Sequence, residues 1–322
     1  MELSTVALAL RSRAVYSPNM RVLIVGCGYV GLPLGVELVR QGHAVFGLRR
    51  SAAAEAQLVA AGITPLSGDV TQPETLASLP HDFDWVVNCV ASGGGDAASY
   101  RQIYLQGTAN LLAWLAPHPP KKFLYTSSTG VYGQNDGSTV KETSPTEPEA
   151  ETARVLVETE NLLLATFASQ RLPAVILRVA GIYGPGRGYA FKQFLKNEAC
   201  IEGDGSRVMN MIHRDDLIGC IIAALKNGRP GEIYNAVDDE PVTQMHFFDW
   251  LAASLGKTPP PSVPENPEAT RKRGVTNKRV SNRKLKMEIG WPFRYPNFRI
   301  GYSAEILALE RAGELEVEVE ER

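Results

Sequence analysis

Arg21-Val22-Leu23-Ile24-Val25-Gly26-Cys27-Gly28-Tyr29-Val30-Gly31 is a short apolar run, rich in β-branched residues, that ends in three spaced glycines. The run has the length and composition of a buried strand. An apolar periodic segment, Leu32–Arg40, follows and stops at Gly42, which predicts a helix with a glycine terminus. Ala44–Leu48 reads as a second strand. Strand, glycine turn, helix, strand is the order of a dinucleotide-binding unit. In that unit Gly26 permits the tight turn, Gly28 lets backbone N–H groups approach a pyrophosphate, and Gly31 lets helix and sheet pack closely. Tyr29 and Val30 open the helix, whose N-terminus offers partial positive charge to the phosphates.

The end of the second strand narrows the ligand. An NAD-binding unit usually carries Asp or Glu there, to accept from the ribose 2′-OH. This chain has Arg49-Arg50-Ser51 instead. Two guanidiniums and a hydroxyl suit a 2′-phosphate, so NADP is the expected cofactor and NAD the second choice. The plain alternative is a solvated basic loop. Further along, Gly68-Asp69-Val70 closes a short third strand, Gly62–Leu66, and Asp69 is placed to accept from an adenine amino group or to cap Pro73–Leu79. Asp84–Ser92 is a continuous strand, and Ala91 and Ser92 at its carboxyl end, before Gly93-Gly94-Gly95, leave room for the cofactor.

Composition excludes several classes. Lys+Arg is 33 against Asp+Glu 35, which does not suit a general nucleic-acid binder. No apolar run approaches membrane-spanning length. Cys27, Cys89, Cys200 and Cys220 show neither CxxC nor metal-ligand spacing, so reduced thiols in a cytoplasm and no metal are expected. With 322 residues, 44% of them hydrophobic, the chain suits one large domain or two coupled ones. Residues 1–20 read as a disordered extension, because Val6–Leu10 is too short for a secretory core.

Strands and helices continue to alternate. Ser99–Leu115 predicts a helix, Lys122–Thr126 a strand, Glu151–Ser169 a helix and Ala174–Leu177 a strand. Beyond these come Arg207–Ile212 (strand), Asp215–Lys226 (helix, with Asp215 as its cap), Glu232–Val237 (strand), Gln244–Leu255 (helix) and Asn282–Ile289 (short helix). Pro259–Arg273 is a basic, proline-rich loop, and the acidic tail ends a last helix from Ala304.

The glycine turn, Gly68-Asp69-Val70, Gly107-Thr108-Ala109-Asn110-Leu111-Leu112, Tyr125–Gly133, Leu177–Gly186, Ile212–Leu217, Glu232–Asn235 and Lys284–Trp291 occur in the order seen in the extended short-chain dehydrogenase/reductases. The chain resembles that NAD(P)-dependent epimerase/dehydratase superfamily over most of Arg21–Tyr302, and most closely an atypical bacterial branch. The resemblance implies an α/β fold, a Rossmann-type doubly wound parallel sheet over residues 21–180, with a smaller, mainly substrate-binding region over 181–322. It also implies a small-molecule substrate, most commonly a nucleotide sugar, and leaves a homodimer open. One earlier glycine of the family turn is replaced by Val25. The family's active Asn falls on Tyr104, and its active Ser/Thr on Ser128. Its Tyr-x-x-x-Lys falls on Thr152 and Leu156, or, two residues earlier, on Ala150 and Arg154. None of the 11 tyrosines has lysine four residues later.

That departure bears on the chemistry. In the family the lysine lowers the phenol's pKa, and hydride transfer to a carbonyl needs such a proton partner. Ser128 alone is a poor acid. Tyr183 and Tyr132, which follow strands, are the candidates for a substitute phenol, with Arg178 or Arg187 as the nearby cation. Thr129, Arg187, His213 and Arg279 are candidate substrate contacts, and Arg271 and Arg283 further candidates for an anionic group. The reading is an oxidoreductase or epimerase with altered proton chemistry; the alternative is a non-catalytic NADP(H)-binding sensor or scaffold.

Overall fold

The apolar runs build one parallel sheet. In the computed structural model, which describes residues 19–170, 172–264 and 276–315, β1 (Arg21–Val25) leads through the glycine turn to α1 (Gly31–Arg40) and β2 (Ala44–Arg49). Next come α2 (Glu55–Ala60), β3 (Thr64–Ser67), β4 (Trp85–Asn88) and α3 (Ala97–Tyr100). α3 continues through a π-helical segment, Arg101–Gln106, into α4 (Gly107–Leu115). β5 (Lys122–Ser128), β6 (Thr139–Val140), α5 (Glu151–Gln170), β7 (Ala174–Val179) and β8 (Gly181–Tyr183) follow. The remainder is α6 (Tyr189–Leu195), β9 (Ile201–Glu202), β10 (Val208–Met209), β11 (Met211–His213), α7 (Arg214–Asn227), β12 (Ile233–Ala236), β13 (Val242–Thr243), α8 (Gln244–Leu255), β14 (Ser262–Val263), β15 (Arg279–Val280) and α9 (Phe298–Arg311).

The central sheet has seven strands in the order β12-β7-β5-β4-β1-β2-β3, every neighbouring pair parallel. Winding reverses between β1 and β4, and a crevice opens outside the carboxyl ends of strands at such a switch point. Val25 lies opposite both Leu48 and Asn88, so Gly26, Arg49 and Cys89 emerge side by side at that edge. All four residues of β4 and all six of β7 are buried, as expected for a sheet covered on both faces. β12 belongs to this sheet although it lies beyond residue 180, so the sheet crosses the expected regional boundary. A second, smaller core gathers Tyr183, Phe191, Phe247, Phe298 and Tyr302. Among the described residues no helix is long and apolar enough to cross a membrane.

Several local expectations are corrected. Arg207–Ile212 is not one strand: Asn210 breaks it, accepting from the Val280 N–H at 2.8 Å and donating to the Lys278 carbonyl at 2.9 Å, so β10 and β11 join different sheets. Asp215 does not cap α7. His213 does, its Nδ1 accepting from the Asp215 N–H at 3.2 Å, while Asp215 pairs with Arg214. Asp69 folds back on Thr71, whose N–H and hydroxyl both donate to its Oδ1 at 2.9 Å, and Gln72 rather than Asp69 precedes the 3₁₀ turn Pro73–Thr75. The fourth strand stops at Asn88, four residues before Ser92. Residues 1–18, Arg271 and residues 316–322 lie outside the described residues.

Candidate functional site

A cleft of about 780 Å³ opens over the carboxyl ends of the central strands, a size suited to a small ligand or cofactor. Its floor is the glycine turn. Gly26 has φ +93°, and a Cβ there would sit 2.9 Å from the Cys89 carbonyl oxygen, so the first glycine is required by the backbone itself. A Cβ on Gly31 would come within 2.3 Å of the Gly26 carbonyl oxygen, so this glycine lets helix and turn touch. Gly28 differs: its Cβ would meet nothing within 4 Å, which leaves open space above the turn. No side chain caps α1, whose first residues are Gly31-Leu32-Pro33 behind Tyr29 and Val30. An open glycine below an uncapped helix N-terminus is a fit for a phosphate group. Cys27 and Cys89 line the same wall but are structural; burial pushes the Cys27 thiol up to about 12 and the Cys89 thiol higher still.

Arg49, Arg50, Ser51, Asp69 and Val70 line the cleft on the β2 side, and Ala91 lies on the β4 side. The cleft carries four cationic side chains, Arg49, Arg50, Arg187 and Lys192, against one carboxylate, Asp69, a balance that favours an anionic ligand. Ser51 also caps its own turn, accepting from the Ala53 N–H at 3.3 Å. Ser92 itself does not reach the lining, but its N–H donates to the Tyr104 hydroxyl at 3.1 Å.

On the β5 side lie Ser127, Ser128 and Thr129. Ser128 Oγ accepts from the Gly130 N–H at 3.1 Å, so it both caps the turn after β5 and faces the cleft. Leu156, where the family's lysine is expected, lines the cleft; Arg154, its counterpart in the shifted register, does not, and donates to the Pro148 and Glu149 carbonyls. The chain therefore presents an apolar side chain at that place.

The two candidate phenols are not brought to this cleft. The Tyr132 hydroxyl donates to Asn235 Oδ1 at 2.8 Å and accepts from Arg178 at 2.9 Å. Arg178 is the expected cation, but burial outweighs it and raises the Tyr132 pKa. Arg178 is itself fixed by Glu160, with N···O distances of 2.7–3.1 Å, and Ser127 donates to the same carboxylate at 2.5 Å. Tyr183 lies in the second core, stacked on Tyr302 at 4.4 Å, its hydroxyl donating weakly to the Asn297 carbonyl at 3.4 Å, and burial drives its pKa far above the ordinary phenol value. His213 is 1% exposed, packed against Tyr183 and Tyr295 and 3.4 Å from Glu305. Arg279 donates to the Gly137 carbonyl at 2.6 Å, away from the cleft, and Arg283 is also outside it. Of the substrate candidates, Thr129 and Arg187 face the cleft.

Tyr104, on which the family's active Asn falls, is a core aromatic, 5% exposed, that also borders the cleft. It lines the cleft from the π-helical segment, and its hydroxyl accepts from Ser92 while its own O–H finds no acceptor among the described residues. The signal was its place: it occupies the position of the family's active Asn. A π-helical turn is a frequent feature of functional sites because it displaces side chains from the regular helical face.

The chain is similar to proteins already known. The Escherichia coli K12 protein YeeZ is 30% identical over 290 residues, covering 86% of this chain and 97% of its own. The structure of a conserved protein of unknown function from Silicibacter pomeroyi is 29% identical, with TM-score 0.72, covering 92% and 100% of the two chains. The fold alone is shared with the dTDP-glucose 4,6-dehydratase DesIV of Streptomyces venezuelae, solved with NAD and TYD bound, at 23% identity and TM-score 0.78 over 92% and 99%. The sequence pattern of one family matches residues 22–236, two thirds of the chain and the whole of the sheet from β1 to β12. The chain belongs to the NAD dependent epimerase/dehydratase family.

Proposed function

We propose that the cleft binds NADP(H) in preference to NAD(H), and that the protein is an oxidoreductase or epimerase acting on a nucleotide sugar or a similar polar substrate. The observation that carries this reading is the convergence of the open phosphate turn, Arg49-Arg50-Ser51 and Ser128 on one cleft. β1 sits between β2 and β4, so the adenosine half fits the Arg49 side and the nicotinamide half the side of β4 and β5. Asp69 and Val70 support the adenosine side, and Ala91 and Ser92 the path across β4. When bound, the cofactor supplies hydride transfer. The chain's own part is to hold a substrate oxygen with Ser128 and Tyr104, whose O–H has no acceptor among the described residues and is the cleft's substitute for the missing phenol, with Thr129 as a further substrate contact and Arg187 as a cation facing the same cleft. Four free cysteines support a reducing, cytoplasmic setting.

Leu156 favours a second reading, a non-catalytic NADP(H)-binding protein, because no lysine orders the ribose or assists a phenol. Fluorescence titration with NADPH and NADH, followed by NADPH absorbance with a panel of nucleotide sugars and simple carbonyls, separates the readings. Tighter NADPH binding with turnover supports the enzyme; binding without turnover across the panel supports the second reading; no binding of either dinucleotide rejects both.

A further inference from the structure

The guanidinium of Arg187 lies 4.9 Å from the centre of the Tyr29 ring, and Tyr29 belongs to the glycine turn. Arg187 comes from the far side of the cleft, in the Gly184–Gly188 loop between β8 and α6. Its backbone is fixed there: the Gly184 N–H donates to the Arg187 carbonyl at 3.0 Å, and the Arg187 N–H donates back at 2.8 Å. Both ends of the loop are pressed against neighbours. Gly184 has φ +131°, and a Cβ on it would lie 3.0 Å from His213 Nε2. Gly188 has φ +149°, and its Cβ would lie 2.9 Å from the Tyr302 hydroxyl. The loop backbone is therefore held in place, and from it the Arg187 guanidinium reaches over the Tyr29 ring of the phosphate turn.

That charge is uncommitted. Among the described residues the Arg187 side chain makes no hydrogen bond and no ion pair, and it is exposed to the cleft. Arg214, which also lies near the Tyr29 ring at 5.3 Å, is by contrast tied to Asp215 at 2.9 Å. A guanidinium held over an aromatic face keeps its N–H edge available, and that edge suits phosphate oxygens.

We infer that Arg187 is a clamp on the cofactor's pyrophosphate rather than a substrate contact, carried across the cleft from the C-terminal region and seated on Tyr29. The inference rests on the proposed dinucleotide reading of the cleft. The pyrophosphate is common to both nicotinamide dinucleotides, whereas Arg49 and Arg50 face a group that only NADP carries. Arg187 should therefore act on both cofactors alike.

The test is fluorescence titration of the full chain with NADPH and with NADH, at two ionic strengths. Arg187→Ala should weaken both cofactors by a similar factor, about ten- to hundredfold, and reduce the salt dependence of binding. Arg187→Lys should recover part of the loss. Tyr29→Ala should weaken both, and Tyr29→Phe, which keeps the ring and removes a buried hydroxyl without a partner, should recover most of the affinity that Tyr29→Ala loses. Arg49→Ala should weaken NADPH alone. Melting curves serve as the control for folding, since the Arg187 side chain is exposed. Unchanged affinity in Arg187→Ala, or a loss confined to NADPH, overturns the inference while leaving the cleft reading intact. If the wild type binds neither dinucleotide, the cleft reading fails and this inference falls with it.

Discussion

The Tyr104 hydroxyl accepts a hydrogen bond from the Ser92 N–H at 3.1 Å, linking the π-helical segment to the chain just beyond β4. The N–H donates to the oxygen whether or not the phenol keeps its proton, so the O–H is free to serve a ligand. Tyr104→Phe is expected to lower NADPH-dependent carbonyl reduction about a hundredfold or more while NADPH affinity stays the same. Steady-state turnover beside a binding titration checks this. Wild-type turnover in the phenylalanine variant would remove Tyr104 from the chemistry.

Cofactor choice should follow the basic pair after β2. Arg49→Ala and Arg50→Ala should each reduce NADPH binding by about 1.5–3 kcal/mol for a lost charge-assisted bond and leave NADH unchanged. Calorimetric titration of both cofactors reads the difference. Equal wild-type affinities for the two would mean that the guanidiniums do not meet a 2′-phosphate.

Two glycines of one turn should fail in different ways. Gly28→Val fills open space and should abolish dinucleotide binding with little change in melting temperature, because a Cβ there touches no protein atom. Gly26→Ala must adopt φ +93° and press on the Cys89 backbone, so it should lower stability, by at least about 1–2 kcal/mol from the left-handed backbone alone. Thermal melts of both variants decide the matter. A destabilised Gly28→Val would show that the turn is packed rather than open.

The Arg178–Glu160 pair lies behind the cleft wall, with side chains 5% and 2% exposed. Removing one partner strands a buried charge. Arg178→Met or Glu160→Met should each cost about 3–5 kcal/mol in urea unfolding, and the double substitution less than the sum. Additive losses would mean that the two groups do not act as a pair.

Lys278 is 3% exposed and donates to the Tyr132 carbonyl at 2.8 Å and to Thr276 Oγ1 at 2.7 Å. Burial lowers its pKa from 10.5 to about 8. Between these values the folded chain binds fewer protons at this site than the unfolded chain, so this group makes stability rise with pH across that window. The gain is on the order of 3 kcal/mol from end to end. Urea unfolding at both ends of the window should show that gain in the wild type relative to Lys278→Met. Parallel pH dependences in the two proteins would refute it.

The backbone plan was legible because periodicity and glycine placement carry it. Val22–Val25 could only be a buried strand, and Gly26, Gly28 and Gly31 have separate geometric reasons that spacing alone reveals. The direction of side chains was less legible. Tyr132, Tyr183 and Arg178 all follow or end strands, and the sequence does not say whether such a residue turns into the crevice or into a core. Arg178 shows why: it lies in a strand buried along its whole length, and its charge is acceptable only because Glu160 arrives from α5. Asp215 has the residue type expected of a cap, yet His213 fills that place, a role histidine seldom takes. Tyr104 depended on a π-helical segment, which apolar periodicity does not signal.

The seventh strand has a consequence for how the chain is made. β7 needs β12 along its outer edge: the Ile176 N–H donates to the Glu232 carbonyl, and the Ala180 N–H to the Ala236 carbonyl. During synthesis β7 emerges more than fifty residues before that partner. Until then its edge is an apolar, unpaired template of the kind that invites association between chains. A nascent chain stalled between residues 180 and 232 would carry most of the cofactor cleft and yet be prone to stick to its neighbours. Pairing with β12 is thus what closes this edge of the sheet, and it ties the N-terminal sheet to the C-terminal region.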